Sequence, residues 1–410
     1  MLNCDQRIEK MFYTRIPQSY LSEFNRKVPL LLAVVVFAAV PLAKGQTFTS
    51  MVQYPLALPN GFAATNGASG VSAGQTVGSA LYTAGIDHAV LWTPAGAVDL
   101  QPNNLGIIYS GAFGTDGTQQ VGYGWYAATG NTGHALLWNG TAASAVDLNP
   151  TKLNGINESY AYATNGTQQV GFGDDSVFGT SHALLWTGSA TSVVDLNPTK
   201  LNGINESFAY GTDGAQQVGF GTNTGSNPHA LLWTGTAASA MDLNPTNLSG
   251  ITNSVAYGID GTQEVGYGYG TSRNDHALLW ASTSASAVDL NPDGFTSSFA
   301  VATNGTQEVG DGIETGNNYQ ALLWTGTADS AVNLQALLPL TGTWTASSAA
   351  ALDSFGDIYG IAQGTFNDVT GFFAVEWSPV PEPTTGSMLL IICAGTLLRR
   401  RKYDCPTLRK

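Results

Sequence analysis

The chain has 410 residues, enough for two or three ordinary domains or one large repetitive one, and only 11% of them are charged. Apolar content is ordinary at 43%, so a core can form and a wholly disordered chain is excluded. Of the 15 Lys and Arg, six precede residue 46 and six follow residue 398; three remain in between, against 24 acids, so residues 46–380 carry −21. Nucleic acid is excluded as a partner, because binding it needs a basic footprint that displaces counterions.

In chain order, Arg26 and Lys27 precede the 13-residue apolar run Val28–Val40, and Ala43-Lys44-Gly45 puts small residues just before Gln46. Basic segment, apolar segment and small-residue cleavage site are the three parts of a secretory signal peptide, expected over residues 1–45. Thirteen apolar residues are too few to span a bilayer comfortably. The expected partners are therefore the Sec export machinery and a signal peptidase. Cys4, Cys393 and Cys405 all lie outside residues 46–379, so the body holds neither disulfides nor cysteine chemistry.

The body repeats. "HALLW" stands at 134–138, 182–186, 229–233 and 276–280, with "HAVLW" at 88–92. The tryptophans closing this word and its looser copies are Trp92, Trp138, Trp186, Trp233, Trp280, Trp324 and Trp377, at intervals of 46, 48, 47, 47, 44 and 53. A second word, "QQVG" or a variant of it, also occurs seven times, ending at Gly78, Gly122, Gly171, Gly219, Gly266, Gly310 and Gly360. Each unit reads as four extended segments. The first two are joined by Asn-Gly or Asp-Gly in five units, which predicts a type I′ hairpin turn. "ALLW" is continuously apolar, so its strand should be buried on both faces, and glycines beside the valine should let neighbouring sheets approach. The fourth segment, "SAVDLNP", stops at Asn-Pro.

Four strands in about 47 residues, seven times over, predict an all-β fold: a seven-bladed β-propeller over residues 46–379. The body begins with a fourth segment, Met51–Gly61, and ends with a third, Phe373–Trp377. The N-terminal strand can thus complete the last blade and close the ring, which an open solenoid would not need. The combination of His-Ala-(Leu/Val)-Leu-Trp with a preceding Val-Gly and a following Asp-Leu resembles the HAF family of extracellular repeats across essentially the whole body. That family is defined by its repeat, so the resemblance implies location and architecture, not an activity.

The five histidines, His88, His134, His182, His229 and His276, sit one to a blade. A zinc site needs three or four ligands around one ion, so this placement argues for a structural marker in which the ring donates a hydrogen bond at a strand start. Gln320 and Phe373 replace histidine in the last two copies. Asp99, Asp147, Asp195, Asp242 and Asp289, with Asn333 in the sixth unit, are expected to face solvent or a loop amide. No histidine triad or glycosidase carboxylate pair follows from such a ring, so no catalytic or metal residues are assigned. Tyr123, Phe172, Phe220 and Tyr267 follow Val-Gly and are expected to pack the blades. The variable connections between second and third segments are the candidate ligand loops, with Trp125, Tyr126, Asp174, Asp175, Arg273, Asp275 and Tyr319. Aromatics and amides there suit sugars and carboxylates suit Ca²⁺, although no calcium-loop motif is present.

After the body comes Pro381-Glu382-Pro383, an apolar stretch from Met388 to Leu398, then Arg399, Arg400, Arg401 and Lys402. This three-part order, over residues 380–402, resembles the PEP-CTERM sorting signal of exopolysaccharide-producing Gram-negative bacteria; residues 403–410 form a short tail. The resemblance implies a short hydrophobic helix acting as a transient anchor, and an exosortase that recognises the signal. It places the protein at the cell envelope, cell surface or extracellular matrix. The functional expectation is a non-enzymatic structural or binding module contacting exopolysaccharide. The alternative is a polysaccharide hydrolase or lyase on a propeller scaffold.

Overall fold

The computed structural model describes residues 47–126, 132–175, 179–223, 225, 227–271, 274–314 and 318–380, all within one compact unit. The expected signal peptide and the sorting signal at Pro381, Glu382, Pro383, Arg399, Arg400 and Arg401 lie outside the described residues.

The described residues form seven four-stranded antiparallel sheets and no α-helix. Blades 1 to 6 follow one another over residues 62–99, 107–147, 156–195, 204–242, 253–289 and 295–333. Blade 7 takes three strands from residues 343–379 and its outermost strand from Phe48–Pro55, which pairs antiparallel with Val369–Pro379. The innermost strands touch their neighbours in cyclic order, blade 7 against blade 1 included. The chain is a seven-bladed β-propeller closed by its N-terminal strand.

Blade 3 illustrates the unit, with strands Ile156–Thr164, Gln169–Asp175, Thr180–Trp186 and Val194–Asp195 from the axis outward. Leu184 and Trp186 pack with Val121, Leu137 and Leu148 of blade 2, while Ala183 and Leu185 pack with Leu231 and Trp233 of blade 4. That two-sided burial is why "ALLW" is apolar without alternation, and each buried leucine of the word contributes roughly 1.5–3 kcal/mol. Polar rungs also cross the seams. The Ala183 amide donates to Ser207 Oγ of blade 4 (3.0 Å), and that hydroxyl donates to Asn197 Oδ1 of blade 3 (2.7 Å). Ser110, Ser159, Ser254, Ser298 and Ser347 accept the equivalent alanine amide of the preceding blade.

Three local expectations need correction. In blades 2, 3, 4 and 6 the Asn-Gly or Asp-Gly turn is not type I′, because only the glycine has positive φ. Its aspartate or asparagine instead folds a four-residue loop: Asp213 Oδ1 accepts the amides of Ala215 and Gln216 at 2.8 and 2.7 Å. Blade 5, with Gly261 at φ 61° in a two-residue loop, fits the type II′ pattern. Second, the glycine after valine faces its own sheet. A Cβ on Gly171 or Gly219 would lie 1.9 Å from the Tyr160 or Phe208 carbonyl oxygen of the innermost strand in the same blade. Close approach between blades falls to inner-strand glycines, as at Gly114, whose Cβ would sit 2.4 Å from Tyr162 O of blade 3. Third, the outermost strand is only two residues long in blades 2 to 6, preceded by a 3-10 turn such as Ala142–Ser144. Short outer strands leave little open edge for another chain to pair with.

Candidate functional site

The recurring histidines and aspartates are one device. In blades 1 to 5 the histidine Nδ1 lies 2.8–3.0 Å from the Oδ2 of the aspartate on the adjacent outer strand: His88–Asp99, His134–Asp147, His182–Asp195, His229–Asp242 and His276–Asp289. The other carboxylate oxygen accepts a backbone amide two residues on, as Asp195 Oδ1 does from Asn197 (2.7 Å). The aspartates thus meet a loop amide, as expected, and also the histidine, which sequence reasoning missed. A spacing of 13 residues in blades 2 to 5 is the signal that could have revealed the pair, as is the joint replacement in blade 6, where Asn333 bonds Gln320. The Asp195 hydrogen bond raises the His182 pKa against the opposing effect of burial, and Asp242 does the same for His229. Each pair is spent on holding a third strand to a fourth.

Nearer the axis the blades differ from one another. Every innermost strand carries a register irregularity against its neighbour at the same place, and the residue skipped there faces the axis. These residues are Ser69, Phe113, Tyr162, Tyr210, Tyr257, Val301 and Ala350, in blades 1 to 7, and all seven line a central cavity of 540 Å³. In blades 2 to 5 they are aromatic and in mutual contact, with ring centroids 4.7 Å (Phe113–Tyr162), 5.0 Å (Tyr162–Tyr210) and 5.3 Å (Tyr210–Tyr257) apart. Tyr123, Tyr160, Phe172, Phe208, Phe220 and Tyr267 form a second row behind them. Blade packing is thus one task of the rings after Val-Gly; the crescent they build is another, which the single repeat does not reveal.

The crescent's phenols are held protonated. Burial pushes Tyr162, Tyr210 and Tyr267 up, with neighbouring phenols adding to it, and Tyr257 is pushed up to about 12. Asp174 adds to the effect at Tyr160 and Tyr162, and Asp275 does so at Tyr257 and Tyr267. Two of the sequence candidates therefore flank the crescent, in blades 3 and 5. Asp174 accepts from Ser181 Oγ (2.6 Å), while burial raises the Asp275 carboxyl and His276 partly offsets that. Asp275 also lines a 770 Å³ cleft with Tyr267, Tyr269, Asn227 and Asn253.

The other candidates are placed differently. Trp125 and Tyr126 end the strand Gln120–Tyr126, and Asp174 and Asp175 end Gln169–Asp175, so these four are strand residues and not loop residues. Tyr126 donates to Asp147 Oδ2 (2.8 Å) and lies against the His134 ring, which absorbs it into the blade 2 pair. Burial pushes Asp147 up, but bonds from His134, the Asn149 amide and Tyr126 outweigh it and hold the carboxyl below the usual range. Asp175 is buried against Gly155. Tyr319, 47% exposed, opens the strand Tyr319–Trp324; Arg273 lies outside the described residues. Among the described residues no three His, Cys, Asp or Glu side chains converge as a metal centre would need, so the carboxylates expected to suit Ca²⁺ do not form a cluster there.

No family model matches the chain, and no curated protein matches it. Similar solved structures include TolB from Acinetobacter baumannii, at 13% identity and a TM-score of 0.39 over 72% of this chain and 76% of that one. A puromycin hydrolase is 12% identical with a TM-score of 0.49, over 80% of this chain and 55% of its own. An oligogalacturonate lyase in complex with manganese is 10% identical with a TM-score of 0.44, over 75% and 86%.

Proposed function

We propose that the protein is an exported, non-enzymatic binding module of the cell surface or extracellular matrix, which holds polysaccharide at the mouth of the propeller. The observation that carries this reading is the aromatic crescent of blades 2 to 5, in which Phe113, Tyr162, Tyr210 and Tyr257 line an open axial cavity and burial keeps the phenols protonated. Phenol hydroxyls both donate and accept, so they match the hydroxyl groups of a sugar chain. Aromatic bodies supply apolar area at little cost in side-chain entropy. The recurring His–Asp pairs are occupied in blade structure, and the acids beside the crescent belong to separate blades. Delivery rests on the signal-peptide pattern and on the PEP-CTERM resemblance, with an exosortase acting at Pro381-Glu382-Pro383.

The test is binding and turnover on a panel of neutral and acidic polysaccharides, using the purified protein and a Y162A/Y210A variant. Binding without release of reducing ends or unsaturated products is expected, with at least a tenfold loss in the variant. Depolymerisation by the parent protein would refute the non-enzymatic reading. Fractionation of the native host with mass spectrometry of the mature C-terminus tests sorting; a released protein with an intact apolar tail would refute it.

A further inference from the structure

The repeat that fills blades 2 to 5 with rings is emptied in blades 7 and 1. Where blade 3 has Tyr160, Tyr162 and Phe172, blade 7 has Ser348, Ala350 and Ile361, and blade 1 has Gly67, Ser69 and Ser79. Blade 6 keeps Phe299 but has Val301, and at the position of Phe172 it has Asp311. The missing rings leave a second cavity of 280 Å³ between blades 6, 7 and 1, just below the about 300–1,000 Å³ range of ligand pockets and so suited to a small ligand. Its wall is made of small residues of the two inner strands, with Ile361 and Phe372 as apolar contacts and Gln363 as an amide.

Asp311 is the acidic point of that wall. Ser348 Oγ donates to its Oδ2 (3.2 Å), while Oδ1 is sealed from solvent and has no hydrogen-bond partner. Burial pushes this carboxyl up to about 7, with the Ser348 and Ala349 bonds acting against it. Among the described residues the lining includes no Lys, Arg or His, and Tyr319 is its only other titratable side chain. A buried carboxyl oxygen without a donor is costly, and nothing in the fold requires an acid where four other blades use an aromatic ring. The walls supply no cation, and the body carries −21, which draws cations in.

We infer that this cavity is a binding site for a small organic ammonium group, an amino sugar or a primary amine, with Asp311 as its counter-ion. The ammonium pairs with the Asp311 carboxylate on the cavity wall, and the carbon skeleton lies against Ile361 and Phe372. The inference does not depend on polysaccharide binding by the crescent: the two cavities share Ser69, Gly70, Ser348 and Ala350, but Asp311, Ile361 and Phe372 line only the smaller one and the aromatic rings of blades 2 to 5 line only the larger.

Calorimetric titration with D-glucosamine, n-butylamine, D-glucose and N-acetyl-D-glucosamine tests it. Both amines should bind and the two neutral sugars should not. Because the cation favours the carboxylate, affinity should fall about tenfold between pH 7.5 and pH 5.5, with proton release on binding near pH 7. D311N, which keeps shape and folds without the buried charge, should lose at least tenfold in amine affinity. Ala350→Tyr, which restores the ring found in blade 3, should block the cavity while leaving Asp311 in place. Equal binding of glucose and glucosamine, amine binding unchanged in D311N, or no binding of either amine at millimolar concentration would each overturn the inference.

Discussion

At Asp195 one carboxylate serves two donors, His182 Nδ1 at 2.9 Å and the Asn197 amide at 2.7 Å, and so ties a third strand to the loop beyond the fourth. Removing it by Asp195→Ala should cost about 1 kcal/mol, given the partial exposure of the pair, read as a lower midpoint in urea unfolding. The double variant H182Q/D195N copies the Gln320–Asn333 pair of blade 6 and should recover most of that loss. The raised His182 and His229 contribute stability that is complete below about pH 6.5 and fades as pH rises through their folded pKa values. Asp147, held low, acts oppositely: its contribution is present above about pH 4 and fades as pH falls. Asp311 is a raised carboxyl, so the folded state holds its proton longer than the unfolded chain does. Stability should therefore decline as pH rises from about 4 to about 7, and Glu264 and Glu308, raised by burial, act in the same sense. D311N should flatten that decline in a series of thermal melts, gaining on the parent protein at pH 8 but not at pH 4.

Within each blade, two adjacent strands meet at the Val-Gly word. Gly219 sits where a Cβ would lie 1.9 Å from Phe208 O, a backbone atom that cannot swing away. Gly219→Ala should cost roughly 2–4 kcal/mol in denaturant unfolding. Gly235→Ala is the control: its φ of 80° is strained for alanine, but no atom lies within 4 Å, so about 1 kcal/mol is expected. The word was legible in the sequence; its reason was not. The glycine spacing could be counted, whereas the register irregularity that brings a carbonyl against it depends on how two strands pair. The same irregularity turns Phe113, Tyr162, Tyr210 and Tyr257 toward the axis, so the crescent could not be read from alternation along any single strand. Turn chemistry misled for a related reason. Asp-Gly suits a two-residue loop, but the aspartate side chain instead caps two amides of a four-residue one.

Across the whole molecule, closure depends on Phe48–Pro55 lying along Val369–Pro379, with Phe48 buried in the core of blade 7 and Tyr54 and Leu56 packed toward blade 1. Deleting residues 1–56 should open the ring and lower the melting temperature by more than about 10 °C. A synthetic peptide of residues 47–58, added in excess, should restore part of the loss by strand addition. Repeat number, blade boundaries, two-sided burial of "ALLW" and the split that closes the ring were all determined by the sequence. Periodicity and apolar runs are properties of a chain read in one dimension, and each blade repeats the same local solution. The tertiary structure alone decided what the blades do together. It paired each histidine with its aspartate, because the outer strands lie side by side only once folded. It gathered rings from four blades on one side of the axis, and it left Asp311 beside the space where three neighbouring blades lack them, because the ring sums differences that are single substitutions within any one repeat.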